Sequence, residues 1–260
     1  MSLALIQKLN AMLLAEMPEY RVQATQVAAD AAAQRTLLRA LMNVRPPRPL
    51  SEAYLRLEGE LLSKEREQRG VVDVMTLPSV SSDARIILWQ GDITRLNADA
   101  IVNAANSALL GCFIPCHRCI DNAIHSAAGL QLRAECAALM KRQGHPEATG
   151  LAKITAGYNL PARHVLHTVG PIVSGVLTDE HRELLASCYR SCLYLAAEHG
   201  LKSVAFCCIS TGEFHFPNAA AAEIAVREVR SFLAHDSTIE RVIFNVFKDE
   251  DRVLYEGLLQ

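Results

Sequence analysis

An α/β layer fold with a largely parallel or mixed sheet is what this chain predicts, on three observations. From Arg85 onward, short β-rich runs alternate with longer helical stretches, the pattern of strands joined by helical crossovers. Half of the 260 residues are apolar and the formal net charge is only -2, so a sizeable core is available and the composition argues against disorder. The polar and metal-ligating residues gather where apolar runs give way to loops, and in open α/β sheets ligands bind outside the carboxyl ends of the strands.

Before that alternation begins, residues 1–80 read as helical. Leu3 to Met17 and Val22 to Met42 are rich in Ala, Leu, Gln and Arg, and Pro46-Pro47-Arg48-Pro49 stops the second stretch. Ser51 caps a further helix that runs through Leu62 and ends near Gly70. No catalytic constellation lies here, so the expectation is a helical appendage, residues 1–80, packed on a main domain of residues 81–260. In the main domain, strands are expected at Ile86–Trp89, Ala100–Val102, His164–Thr168, Val204–Ile209 and Arg241–Phe247. Helices are expected at Ile120–Arg142, Glu180–His199 closed by Gly200, Asn218–Ala234 and Arg252–Leu259.

The charge balance and the absence of any Lys/Arg-rich run argue against a nucleic-acid partner. The start carries Lys8 and Glu16 and lacks a signal-peptide pattern, and no stretch is long enough to span a bilayer. Eight cysteines, clustered rather than spread, point to thiols and metal in a reducing cytoplasm. Cys136, Cys188, Cys192, Cys207 and Cys208 read as small buried hydrophobes.

The densest chemistry is Gly111 to Asn122, G-C-F-I-P-C-H-R-C-I-D-N, with three cysteines and a histidine in eight positions. Soft thiolates and an imidazole at this spacing suit a tetrahedral zinc ion. Cys112, His117 and Cys119 supply three ligands and leave the fourth position open, as in catalytic zinc sites. Cys116 either closes the site as a fourth ligand or is kept out of it by its adjacency to His117. Asp121 is either a helix-start acid or a base acting on a substrate hydroxyl or water.

Three further motifs sit at strand ends. Gly91-Asp92-Ile93-Thr94 is either an Asx turn or a carboxylate and amide pair that accepts an exocyclic amine and donates to a ring nitrogen. Asn103-Ala104-Ala105-Asn106 is either turn chemistry or a donor and acceptor set for the vicinal hydroxyls of a ribose. Ile209 to Pro217, I-S-T-G-E-F-H-F-P, joins a strand to a helix and offers backbone N–H groups to a pyrophosphate. It holds no Lys or Arg, so an anion there would rest chiefly on backbone amides and the helix dipole. It is not a P-loop, and the chain has no G-x-G-x-x-G. The side chains of Glu213 and His215 are expected to face solvent.

Taken in order, these motifs resemble the macrodomain family, the ADP-ribose-binding fold, from about Ile86 to Phe247. The resemblance rests on G-D-I-T, on N-A-A-N, and on I-D-N-A-I-H-S-A-A-G at Ile120–Gly129. It extends to T-A-G-Y-N-L-P with H-T-V-G-P at Thr155–Pro171, and to C-I-S-T-G-E-F-H-F-P at Cys208–Pro217. It implies a three-layer α/β/α sandwich with a mixed sheet. Where most macrodomains carry a glycine run, this chain has the Cys/His cluster, which is similar to the zinc-containing macrodomains of bacteria and fungi. Their pattern G-C-F-x-P-x-H-x-C-I-D-N is matched at each fixed position by Gly111 to Asn122, with Cys116 on a variable one. That class consists of protein-ADP-ribose hydrolases, often neighbours of a sirtuin-type ADP-ribosyltransferase.

By this resemblance Asp92 binds the adenine amine with help from the Ile93 backbone. The amides of Ser210, Thr211, Gly212, Glu213 and Phe214 hold the diphosphate. Asn106 meets the distal ribose, Asp121 takes the position implicated in catalysis, and Phe247, or else Phe216, stacks on adenine. The expected activity is zinc-dependent removal of mono-ADP-ribose from protein side chains. The alternatives are a module that reads ADP-ribosylated proteins without cleaving them and a deacetylase of O-acetyl-ADP-ribose.

Overall fold

The computed structural model describes residues 2–260; Met1, the first residue of the expected appendage, lies outside them. Four helices open the chain: α1 (Leu3–Glu16), α2 (Arg21–Thr25), α3 (Ala31–Val44) and α4 (Glu52–Arg69). The single helix expected over Val22–Met42 is broken. Asp30 sits in extended backbone and its carboxylate accepts from the N–H groups of Ala32 and Ala33, which starts α3 afresh. Ser51 caps α4 by accepting from the Tyr54 N–H, and Gly70, at φ 75°, ends it as expected. Apolar residues of α1, α3 and α4, among them Ile6, Leu9, Leu13, Leu38, Leu41, Tyr54 and Leu61, form a core of their own that takes in Leu130 from the α/β part.

The α/β part comprises β1 (Val72–Asp73), β2 (Ile86–Gln90), β3 (Leu96–Asn97), β4 (Ala100–Ala105), α5 (Ile120–Ala128) and α6 (Leu130–Gln143). After these come β5 (Ala152–Ala156), β6 (His164–Val169), α7 (Asp179–Glu198), β7 (Ser203–Phe206), α8 (Asn218–Leu233), β8 (Arg241–Val246) and α9 (Asp249–Leu258). β1 and β3 form a small parallel pair. The main sheet has the order β2-β8-β7-β4-β6-β5. Its pairs are parallel except β5 with β6, which is antiparallel, so the sheet is mixed, with helices on both sides. Among the described residues no helix is long and apolar enough to cross a membrane.

Three local readings are corrected. Ile120–Arg142 is two helices, because Gly129 adopts φ 92° and a side chain there would meet Glu58 Oε2 of α4 at 2.7 Å. Glu58 instead accepts from the Leu130 N–H at the start of α6, so the break is imposed by the helical layer. The edge strand β5 carries little strand signal in the sequence: it is short and mostly half-buried, and its pairing partner β6 is what makes it a strand. The strand expected over Val204–Ile209 leaves the sheet at Phe206, three residues early, to begin a loop.

Because β2, β8, β7 and β4 run parallel, their carboxyl ends share one edge of the sheet. That edge receives Asp92 after β2, Asn106 after β4, the 207–217 loop after β7 and Phe247 after β8.

Candidate active site

At this edge lies a cavity of about 640 Å³, lined by Asn106, the Cys/His loop, the first turn of α5, Ser210, Gly212, Glu213, Phe214 and Lys248. Cys112, His117 and Cys119 enter it together, with one ligand atom from each within 4.8 Å of the others. Cys112 Sγ stands 3.6 Å from His117 Nδ1. Cys119 is the N-cap of α5, and its sulfur accepts from the Asn122 N–H at 3.4 Å. Burial, with added repulsion from Cys112 and Asp121 and despite that N–H, pushes the Cys119 thiol up to about 12. Two thiols converging this closely on an imidazole become good thiolates only with a cation among them, and an S₂N donor set suits zinc.

Cys116 does not join them. At φ 53° it turns back, and its thiol donates to the Thr36 carbonyl of α3 at 3.6 Å. The three-ligand arrangement therefore keeps an open side toward the cavity. Glu213, expected to face solvent, is exposed but places Oε1 3.6 Å from His117 Nε2. A carboxylate at the second nitrogen of a ligand imidazole fixes which nitrogen is free to bind metal.

Asp121 is buried in the first turn of α5. Its Oδ1 accepts from Asn103 Nδ2 at 2.8 Å, Asn106 Nδ2 lies 3.5 Å from Oδ2, and His125 Nε2, one turn later, lies 3.5 Å from Oδ1. Burial pushes the Asp121 carboxyl up to about 6, opposed by the Asn103 bond and the charge of Arg133. Behind it, His167 meets Asn103 Nδ2 at 3.2 Å through Nδ1 and Thr155 Oγ1 at 3.0 Å through Nε2. Burial holds His167 down at about 3 and His125 well below its usual range, so both rings are neutral. Sequence reasoning missed this support. His125 was findable as the residue four positions after Asp121 on one helix face, whereas Thr155 and His167 meet only through the pairing of β5 with β6. Asn106 takes the turn reading: Oδ1 accepts from the Ala108 N–H and Nδ2 donates to the Gly111 carbonyl, with the residue on the cavity wall.

The 210–216 loop closes on itself. His215 N–H donates to the Gly212 carbonyl and Phe216 N–H to the Ser210 carbonyl, with Ser210 at φ 65°. Among the described residues no protein acceptor faces the N–H groups of Gly212, Glu213 and Phe214. Gly170 packs so tightly beneath that a Cβ there would lie 2.0 Å from Ser210 Oγ. The loop carries no cation of its own, but Arg118 and Lys248 line the same cavity. An anion is thus not left to backbone amides alone.

Asp92 forms the Asx turn: Oδ1 accepts from Thr94 N–H and Thr94 Oγ1, leaving Oδ2 3.5 Å from Arg69 of α4. It borders a second cavity of about 380 Å³ rather than the larger one. Ile93 is buried beside it. Of the two aromatic candidates, Phe247 is 77% exposed at the end of β8, whereas Phe216 is 1% exposed in the core and has no face to offer a ligand.

The Macro domain family pattern matches residues 102–225. A protein-ADP-ribose hydrolase of Treponema medium is 51% identical over 249 residues, 95% of each chain. A protein-ADP-ribose hydrolase of Staphylococcus aureus (strain MSSA476) is 51% identical over 221 residues, 85% of this chain and 82% of that one. The crystal structure of a Trypanosoma brucei macrodomain in complex with ADP-ribose superposes with a TM-score of 0.68 at 34% identity, covering 85% of this chain and 95% of that chain.

Proposed function

The chain belongs to the Macro domain family, and from that premise we propose that it is a protein-ADP-ribose hydrolase whose turnover depends on zinc held by Cys112, His117 and Cys119. It is an enzyme: relatives of that name share half its residues over most of its length. The zinc reading is carried by one observation. The three soft ligands converge on the wall of the same cavity that receives Asn106, Asp121 and the free N–H groups of the 210–216 loop.

In this reading ADP-ribose lies along the carboxyl edge of the sheet. Its adenine amine donates to Asp92 Oδ2, the oxygen that lies 3.5 Å from Arg69, the Ile93 N–H meets the ring, and Phe247 covers the base. The diphosphate takes the N–H groups of Ser210, Gly212, Glu213 and Phe214, with Lys248 beside them; the Thr211 N–H, expected to join them, donates to the Cys208 carbonyl at 3.5 Å. The distal ribose then reaches Asn106 and Asp121. When bound, zinc supplies Lewis acidity at that ribose. Water adds at the ribose carbon as the bond to the protein side chain breaks: Asp121, oriented by Asn103, takes the water proton, and the departing side chain keeps the bonding electrons. The neutral His125 next to it adds no competing positive charge.

The partner is a mono-ADP-ribosylated protein, modified by a transferase that the sequence resemblance makes sirtuin-type. All eight cysteines are free thiols, which suits a reducing cytoplasm. The appendage to the catalytic macrodomain is the helical layer α1–α4, which ends at Arg69; the expected boundary at residue 80 falls too late, because Val72–Asp73 already pairs with β3 of the α/β part. The test is release of ADP-ribose from a mono-ADP-ribosylated protein by holo, chelator-treated and zinc-restored protein. Release lost with the metal and regained with zinc is expected. Tight ADP-ribose binding without release, across acidic, serine and arginine linkages, would instead make the chain a reader.

A further inference from the structure

The loop that carries the three ligands has little to hold it from within: its internal backbone bond, His117 N–H to the Ile114 carbonyl, is long at 3.3 Å. Its restraints come largely from α3 of the helical layer. At the exit, Arg39 donates to Asn122 Oδ1 at 2.8 and 3.2 Å and to the His117 carbonyl at 3.1 Å. Asn122 is buried and its Nδ2 in turn donates to the Ile114 carbonyl at 3.0 Å. In the middle, buried Asn43 accepts from the Cys116 N–H at 2.9 Å and donates to Ser126 Oγ at 3.1 Å. At the entrance, buried Arg133 donates to the Leu110 carbonyl at 2.7 Å and to the Met42 and Arg45 carbonyls at the end of α3. Its guanidinium lies 4.4 Å over the Phe113 ring.

We propose that α3 is the scaffold of the metal loop, with Arg39 and Asn43 acting as positioning residues that hold His117 and Cys119 ready for zinc before it arrives. Physically, three ligands on a free loop must lose their conformational entropy when the metal binds, and a pre-ordered loop has already lost it. Bonds beyond the ligands themselves govern affinity in the same way at other metal sites. The helical layer, which offers no catalytic group, thereby acquires a role in the chemistry. The proposal rests on the zinc reading above for its consequence, though its premise, an externally ordered loop, does not.

The test compares full-length wild type with Arg39→Ala, Arg39→Lys and Asn43→Ala, with Cys112→Ala as the ligand-loss control. Zinc affinity is read by competition with a chromophoric chelator, and hydrogen exchange of residues 112–119 is read in chelator-treated protein. Thermal melting verifies that each variant is folded. Arg39→Ala is expected to weaken zinc binding roughly 10–100-fold and to speed exchange in the loop while the sheet stays protected. Arg39→Lys restores part of both, since an ammonium reaches one acceptor where the guanidinium bridges two. Because Asn43 is buried, its variant is the one at risk of not folding, and the Arg39 pair then decides. Wild-type zinc affinity with wild-type loop exchange in Arg39→Ala would overturn the proposal. A wild-type protein that binds no zinc would overturn the zinc reading, and the exchange measurement would still decide whether α3 orders the loop.

Discussion

The two loops that face each other across the cavity are held chiefly by different means. The Gly111–Cys119 loop presents side chains, and its backbone is tied down from outside by Arg39, Asn43 and Arg133. The 210–216 loop presents backbone N–H groups, and it is closed mainly by its own carbonyls and by close packing on Gly170, with one outside backbone bond, from the Val173 N–H to the Phe214 carbonyl at 2.9 Å. The difference follows from what each offers. A loop that gives away its side chains can spend its backbone on tethers, while a loop that gives away its N–H groups must leave them unpaired and hold its shape with what remains. Glu213 and His117 are the point where the two loops touch.

The sharpest way to break the comparison is a crossed pair of variants. His117→Ala is expected to lower ADP-ribose release on the order of 10³-fold, the scale of a lost Lewis acid, while ADP-ribose affinity by calorimetry stays within about tenfold. Gly170→Ala, whose Cβ would also lie 2.9 Å from Ile209 Cγ2, is expected to do the reverse. Displacing the loop costs about 1–3 kcal/mol, so ADP-ribose binds about 10–100-fold more weakly with zinc affinity unchanged. If Gly170→Ala weakens zinc as much as nucleotide, the loops are one unit and the contrast fails.

A smaller effect is expected at Phe247. Stacking of a base on an aromatic ring is worth about 1–3 kcal/mol, so Phe247→Ala should weaken ADP-ribose roughly tenfold. Its exposure means the melting temperature should not move. An unchanged affinity would remove Phe247 from the adenine end.

The smallest functional effect, and the cleanest stability one, belongs to Glu58 where the helical layer meets α6. Burial pushes its carboxyl up to about 7, against hydrogen bonds from the Leu130 N–H and the Tyr54 hydroxyl. The folded state therefore holds this proton more tightly than the unfolded chain. Its contribution to stability is fully present below the usual value of about 4.5 and is lost as pH rises to about 7, by about 3 kcal/mol. Glu58→Gln keeps the Leu130 and Tyr54 partners and should melt higher than wild type at pH 8, with little difference at pH 5. Identical melting curves across that range would show that Glu58 is not buried as a proton holder.

Of the fold, the sequence by itself determined what is local. Alternation marked most of the sheet, Ser51 and Gly70 bounded α4, and the spacing of Cys112, His117 and Cys119 named a ligand set that the loop does bring together. Cys116 stays ambiguous in the sequence because spacing does not say which way a thiol turns; the contact with Thr36 decides it. The breaks at Asp30 and Gly129 and the strand β5 were illegible for a related reason, since each depends on a partner distant in the chain or on one side-chain cap among many polar residues. The same holds for the site. Asp121 and Asn106 stand out in the sequence, but the neutral His125, His167 and Asn103 behind them acquire meaning only when burial strips their water. Arg39 reads as one more helix charge until folding sets it against Asn122, 83 positions further along the chain. Sequence carries the chemistry of each group; only the tertiary structure sets the distances and the dryness that decide what the group does.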